Sequence, residues 1–246
     1  MLNNYKLLIE YDGTSYHGRQ RQKKDRTIQG EIERAIMTMT GEKITISGSG
    51  RTDAGVHALG QVANFSCKAK IPQDAFQRGI NSLINEDIVI KKCTGTDEKF
   101  HARFNAKSKA YRYWILNRPL PSAIFSRYSW FIRKKLDINA MSYAAEHLSG
   151  THDFKAFEGS GSPRPTSTRT ISNIHFKKNK DGFLTFNIEA NAFLKYMVRN
   201  IVGTLVDVGR GRITPDDFKT ILLSKDRSMA GITAPAKGLF LMKVAY

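Results

Sequence analysis

The stretch Ser47–Val62 (Ser-Gly-Ser-Gly-Arg-Thr-Asp-Ala-Gly-Val-His-Ala-Leu-Gly-Gln-Val) constrains this chain most. Apolar alternation through Ile44, Thr45 and Ile46 runs into it and predicts a strand; Val62-Ala63-Asn64-Phe65 predicts the start of another. Between them Gly48, Gly50, Gly55 and Gly60 surround one arginine, one aspartate and one histidine. A backbone so rich in glycine bends sharply and lets a ligand come close. Arg51 and Asp53 stand at i and i+2, so an extended backbone turns both to one side. On spacing alone this is either a surface ion pair or a carboxylate held beside a guanidinium in a site.

Length bounds what surrounds the stretch. The 246 residues leave room for one large domain or two of about 120. At 41% hydrophobic the chain can bury a sizeable core. No stretch approaches the ~20 apolar residues of a membrane-spanning helix, so no membrane partner is expected. Met1–Asn4 leads straight into strand-like Lys6–Glu10 with no basic region before an apolar run, so no signal peptide is expected. Cys67 and Cys93 have no metal-binding spacing with each other or with the histidines, which predicts reduced cytoplasmic thiols and no metal.

Charge is more informative. A formal net charge of +17 repels itself on compaction, and a polyanion such as nucleic acid is the natural partner. Residues 1–104 carry 16 Lys and Arg against 12 Asp and Glu, whereas residues 105–246 carry 23 against 10. Most phosphate contacts are therefore expected in the second half.

In chain order, a first strand ends at Tyr11-Asp12-Gly13, and Thr14–Gln22 forms a polar, basic loop. Ile28, Ile32, Ala35, Ile36 and Met39 recur at helical spacing up to Gly41. Pro72 opens a short helix, and Ile88–Ile90 is another strand. This order predicts an α/β sandwich with helices on one face. Phe100–Phe104 reads as a hinge, giving domains 1–104 and 105–246. Beyond it, Ala110–Leu116 alternates as a strand, Asp137 caps a helix that Gly150 ends, and strands follow at Thr170–Phe176 and Phe183–Ile188. The loop Glu158–Thr170, with Arg164 and Arg169, is expected to be disordered or to face RNA. Phe193, Met197, Ile201 and Leu205 trace a helix, Thr214-Pro215-Asp216-Asp217 starts one more, and Leu239–Val244 is the last strand. Gly209-Arg210-Gly211-Arg212 reads as a helix end with two phosphate contacts, and His57 as a residue ordering its loop by a hydrogen bond.

Gly50-Arg51-Thr52-Asp53-Ala54-Gly55-Val56-His57 strongly resembles the active-site motif of the TruA-type tRNA pseudouridine synthases. The resemblance continues, in family order, through Glu10–Thr14, Gln20–Gln22, Phe100–Phe104, Tyr111–Tyr113, Asn191–Phe193, Met197–Gly203 and Lys225–Arg227. It covers nearly the whole chain. It implies an α+β fold of two RRM-like or ferredoxin-like α/β sandwich domains, with mainly antiparallel sheets, meeting at a basic cleft in a homodimer. It also implies a cytoplasmic isomerase that converts uridine to pseudouridine in tRNA, in the anticodon stem-loop. Carried over by position, Asp53 matches the nucleophile, Arg51 its ion partner, Tyr111 the tyrosine that stacks on the target base, and Arg199 and Leu239 residues lining the active site.

The residue types suit the chemistry. The reaction breaks the C1′–N1 bond, turns the base and joins C5 to C1′; nothing is oxidised and no group comes from outside, so no cofactor is expected. A carboxylate either attacks C1′ or assists deprotonation of the sugar, and Arg51 keeps it ionised and directed. Tyr111 offers a face to a flipped base and a hydroxyl that moves a proton. On pattern alone Tyr111 reads rather as core or cross-strand packing, and the resemblance reverses that reading. One position departs from the family: in Gly18-Arg19-Gln20-Arg21-Gln22, Arg19 replaces a usual aromatic. Arg19 and Arg21, in a basic loop that also holds Lys23, Lys24 and Arg26, are expected to contact the RNA stem or loop. Arg19 keeps open a paralogue acting on another RNA, such as ribosomal RNA. A non-catalytic RNA-binding or chaperone protein is the third reading, and Arg51, Asp53 and Tyr111 stand against it.

Overall fold

A computed structural model describes residues 3–161 and 165–246. The chain forms two compact units, Met1–Lys107 with Phe240–Tyr246, and Ser108–Leu239. In the first, β1 (Asn3–Tyr11), α1 (Ile28–Thr40), β2 (Ser47–Gly48), β3 (His57–Cys67), α2 (Gln73–Leu83) and β4 (Ile88–Thr96) follow in turn. β1 pairs antiparallel with both β3 and β4, and β2 lies antiparallel to β3. Strand alternation sends Tyr5, Leu7, Ile9 and Tyr11 into the core. Phe76 of α2 packs there, its ring 4.7 Å from Tyr5 and 5.4 Å from Phe65. Helix α1 buries Ile28, Ile32, Ala35 and Ile36 and ends at Gly41, as its spacing predicts, and it starts on the Thr27 hydroxyl.

The strand expected at Ile44–Ile46 does not form; β2 is confined to Ser47–Gly48. Both isoleucines are still buried. The Ile46 N–H donates to Glu33 Oε1 at 2.9 Å, so a helix side chain takes the place of a ladder partner. β3 in turn starts at His57 rather than Val62, which shortens the loop to Ser49–Val56.

Phe100–Phe104, read as a hinge, is tied into the first unit. Asn64 donates from Nδ2 to the Phe100 carbonyl at 3.2 Å and accepts the Ala102 N–H at 2.9 Å. The Asn4 amide also donates to the Phe100 carbonyl, and the Tyr246 hydroxyl donates to that of Ala102.

The second unit contains β5 (Ser108–Asn117), β6 (Trp130–Ile132), α3 (Ile138–Glu146), β7 (Gly150–Asp153), β8 (Thr168–Lys178), β9 (Phe183–Ala190), α4 (Met197–Gly209) and α5 (Pro215–Ser224). β5, β9, β8 and β7 pair antiparallel in that order, and β6 lies parallel to β5. Helix α3 starts on Asp137 but stops at Glu146; Gly150 opens β7 instead of capping the helix, because Leu148 and Ser149 turn back onto Ala145 and Glu146. Phe193 lies ahead of α4, and α5 starts on a complete Thr214–Asp217 capping box.

The last strand, β10 (Leu239–Ala245), pairs parallel with β3, Phe240 opposite His57. Sequence order alone places this segment with the second half; from Phe240 onward it builds into the first unit. The pairing is mainly antiparallel and the class is α+β, as expected.

Candidate active site

Asp53 sits in the loop between β2 and β3, half-buried, and its carbonyl accepts the Val56 N–H at 3.2 Å. Buried polar groups hold this loop from below. The Tyr11 and Thr52 hydroxyls are 2.8 Å apart, and burial raises the Tyr11 phenol above its ordinary value, keeping it neutral. Gln61 accepts the Ser49 hydroxyl at 2.6 Å and donates to the Gly50 carbonyl at 3.3 Å. Beside the loop, Gly18 has φ +95°, and a Cβ there would come to 2.8 Å from the Thr52 carbonyl oxygen. Only glycine gives both that backbone and that approach.

His57 is buried at the start of β3. Its Nδ1 lies 3.1 Å from the Gly13 N–H, which donates to it, and 3.0 Å from Asp12 Oδ1, while its ring stacks on Phe240 at 4.6 Å. That is a residue ordering the loop, as its position in the sequence suggests.

The flanking cations are placed differently from the expectation. Arg51 is exposed and, among the described residues, forms no ion pair, because residues 51–53 are irregular and the strand-like alternation assumed for the pair does not apply. Arg21 is half-exposed and paired with buried Glu33 at 3.2 Å. Arg19, expected on the surface against RNA, is only 7% exposed. Its backbone N–H donates to the Thr52 carbonyl at 3.2 Å, and its side chain turns inward beneath Gly48. Burial lowers its guanidinium pKa from the ordinary value; Tyr11 and Glu33 push it back up and Arg51 adds to the lowering. Arg26 of the same loop pairs with Glu31 at 3.1 Å and stacks over Tyr16 at 4.5 Å, whereas Lys23 and Lys24 are exposed.

The other expected site residues belong to the second unit. Tyr111 on β5 is buried, its ring edge-on to Phe193 at 5.0 Å. Arg199, in the first turn of α4, donates from Nε to the Ala234 carbonyl at 2.7 Å and lies 5.0 Å over the Tyr196 ring. Leu239 is buried at the start of β10. Tyr196 begins α4 with φ 60°, a left-handed conformation strained for a tyrosine. The sequence carries no sign of it. Asn200 is buried one residue after Arg199: it donates to the Phe157 carbonyl at 2.8 Å and accepts from Thr233 at 2.7 Å and Arg227 at 3.2 Å.

Arg169, expected to face RNA, is buried at the start of β8, and its guanidinium donates to the Thr166 carbonyl at 3.0 Å. Arg164 lies outside the described residues. Arg212 pairs with Asp207 at 3.0 Å while staying exposed, and Arg210 lies over Trp130. Among the described residues no three His, Cys, Asp or Glu are grouped to hold a metal ion, and no helix is long and apolar enough to cross a membrane.

A family model described as tRNA pseudouridine synthase matches residues 7–105 and 144–246. The chain is 49% identical over 245 residues to the tRNA pseudouridine synthase A of Acetivibrio thermocellus, covering 100% of both. It is 47% identical over 245 residues to the protein of the same name from Thermoanaerobacter sp. strain X514, again with 100% of both covered. To the tRNA pseudouridine synthase A 2 of Clostridium tetani it is 46% identical over 248 residues and 100% of both chains.

Proposed function

The chain belongs to the tRNA pseudouridine synthase family, and from that premise we propose that it isomerises uridines of the tRNA anticodon stem-loop with Asp53 as nucleophile. It is a tRNA pseudouridine synthase, an isomerase. The observation that carries the residue assignment is the placing of Asp53, the single carboxylate of Gly50–His57, in a pinned loop between the Gly18 backbone and the Tyr11–Thr52 pair.

In this reading the Asp53 carboxylate either bonds to C1′ as the C1′–N1 bond breaks, in an ester that breaks in turn when C5 bonds to C1′, or takes a proton from the sugar as C1′–N1 breaks and returns it once C5 is joined. The base turns, C5 bonds to C1′, and the C5 proton leaves while N1 gains one. Bonds and protons balance with no external reagent. Tyr111 stacks on the turning base, and its hydroxyl carries the proton from C5. Arg199 and Leu239 shape the base pocket, and exposed Arg51 and half-exposed Arg21 meet the RNA backbone. The enzyme acts in the cytoplasm as a homodimer. A different RNA as substrate rests on an outward-facing Arg19, and with Arg19 buried no observation favours that reading.

The test is release of tritium from C5-labelled uridine in a tRNA transcript. Asp53→Asn keeps the shape, so release is expected to fall below detection while tRNA binding persists. Release by that variant would remove Asp53 as nucleophile. Release from sites outside the anticodon stem-loop alone would overturn the site assignment.

A further inference from the structure

Arg19 is the position where this chain departs from its family resemblance, and the structure gives it surroundings its charge does not suggest. It is 7% exposed, and its Nε is buried with no hydrogen-bond partner. Among the described residues its guanidinium also forms no ion pair. A cation so placed is costly, so the geometry around it must be specific. Its backbone N–H holds the Thr52 carbonyl at 3.2 Å. Its guanidinium reaches the other end of the same segment: a Cβ on Gly48 would come to 2.1 Å from Nη1 and 2.2 Å from Cζ. One residue thus touches both ends of Gly48–Thr52, the segment that leads into Asp53. Gly18 closes the contact from its own backbone, against Thr52 and Ala54.

We propose that Arg19 is a positioning residue for the Asp53 loop, clamping Gly48 with its side chain and Thr52 with its backbone, and not a contact to RNA phosphate. The absence of a side chain at Gly48 is what admits the guanidinium. The proposal rests on the reading of Asp53 as the reacting carboxylate. A loop displaced by about 1 Å misdirects that carboxylate and costs on the order of 100-fold in rate, whereas removing a cation from an RNA phosphate weakens binding and its salt dependence.

The experiment measures kcat, KM and the salt dependence of tRNA binding for Arg19→Met, Gly48→Ala and the double variant, by C5 tritium release and filter binding. Arg19→Met keeps length and removes the fork. Gly48→Ala leaves Arg19 in the chain but displaces its guanidinium, and the displaced atoms are the far end of a flexible side chain, so this variant folds even where Arg19→Met does not. Each single change is expected to lower kcat by about 10- to 100-fold with KM and salt slope within about twofold of the wild type. The double variant is expected to be no slower than Arg19→Met alone, since both changes break one clamp. A raised KM with a salt slope lower by about one unit and unchanged kcat would overturn the proposal in favour of a phosphate contact. Wild-type rates in both single variants, or rate losses that add in the double, would also overturn it. Asp53→Asn in the same assay separates the two levels: release by that variant would sink the reading of Asp53 beneath the proposal, whereas no release by it beside fully active Arg19→Met and Gly48→Ala would sink the Arg19 clamp alone.

Discussion

Asp53 owes its position to residues with no chemistry of their own. Gly18 lies backbone to backbone against Thr52, where neither side can yield. Gly18→Ala is therefore expected to cost about 2 kcal/mol or more in urea unfolding, from the positive φ and the clash together. An unchanged midpoint would show that the loop adapts more freely than its packing indicates. At Tyr111 the ring and the hydroxyl are separable. Tyr111→Phe keeps the edge-on contact to Phe193, so tRNA binding is expected to hold while tritium release slows about 10-fold or more. An equal release rate would leave Tyr111 only its stacking role.

Elements form where local signals agree, and their ends carry measurable stability. The Thr27 hydroxyl accepts the Gly30 N–H at 3.2 Å at the start of α1, close in sequence to the Arg19 and Arg21 loop. Thr27→Ala is expected to lower stability by about 1 kcal/mol. At α5 the Asp217 carboxylate accepts the Thr214 N–H and hydroxyl, each at 2.8 Å. These hydrogen bonds, the backbone one foremost, hold its pKa below the ordinary 3.8. A carboxyl depressed by folding stabilises above its unfolded pKa and loses that contribution as pH falls through its folded value. Acid titration followed by circular dichroism is expected to show Asp217→Asn losing less stability than wild type below about pH 4. Parallel curves would mean the capping box does not respond to charge.

Over the whole molecule, the charge of +17 sets how strongly a polyanion binds and how steeply salt weakens it. Replacing exposed Arg212 together with Arg210 is expected to flatten the salt slope by roughly one unit for each phosphate no longer neutralised. Lys91 and Lys92, in the less basic half, are the control; Lys91 is paired with Glu10 at 2.9 Å. Arg169→Gln is expected to leave the slope unchanged, because its guanidinium is buried on carbonyls of its own strand entry. Filter binding across a salt series checks all three, and a larger effect at Lys91 and Lys92 would place the RNA face in the first half.

Local patterns were enough for what depends on local physics. The 3.6-residue period of Ile28, Ile32 and Ile36, the caps at Asp137 and Thr214, and the strand patterns of β1, β5 and β9 all act over a few residues, and each formed its element. The Gly50–His57 motif likewise marked the loop that holds Asp53. Tertiary structure decided what depends on the direction a side chain takes and on partners distant in sequence. It sent Ile46 to Glu33 in place of a strand, returned Phe240–Tyr246 to the first unit beside β3, and strained Tyr196 ahead of Arg199. It also turned Arg19 and Arg169 inward, although both read as surface cations. Charge along a sequence says that a residue prefers water or an anion; only the folded backbone shows whether either lies within its reach.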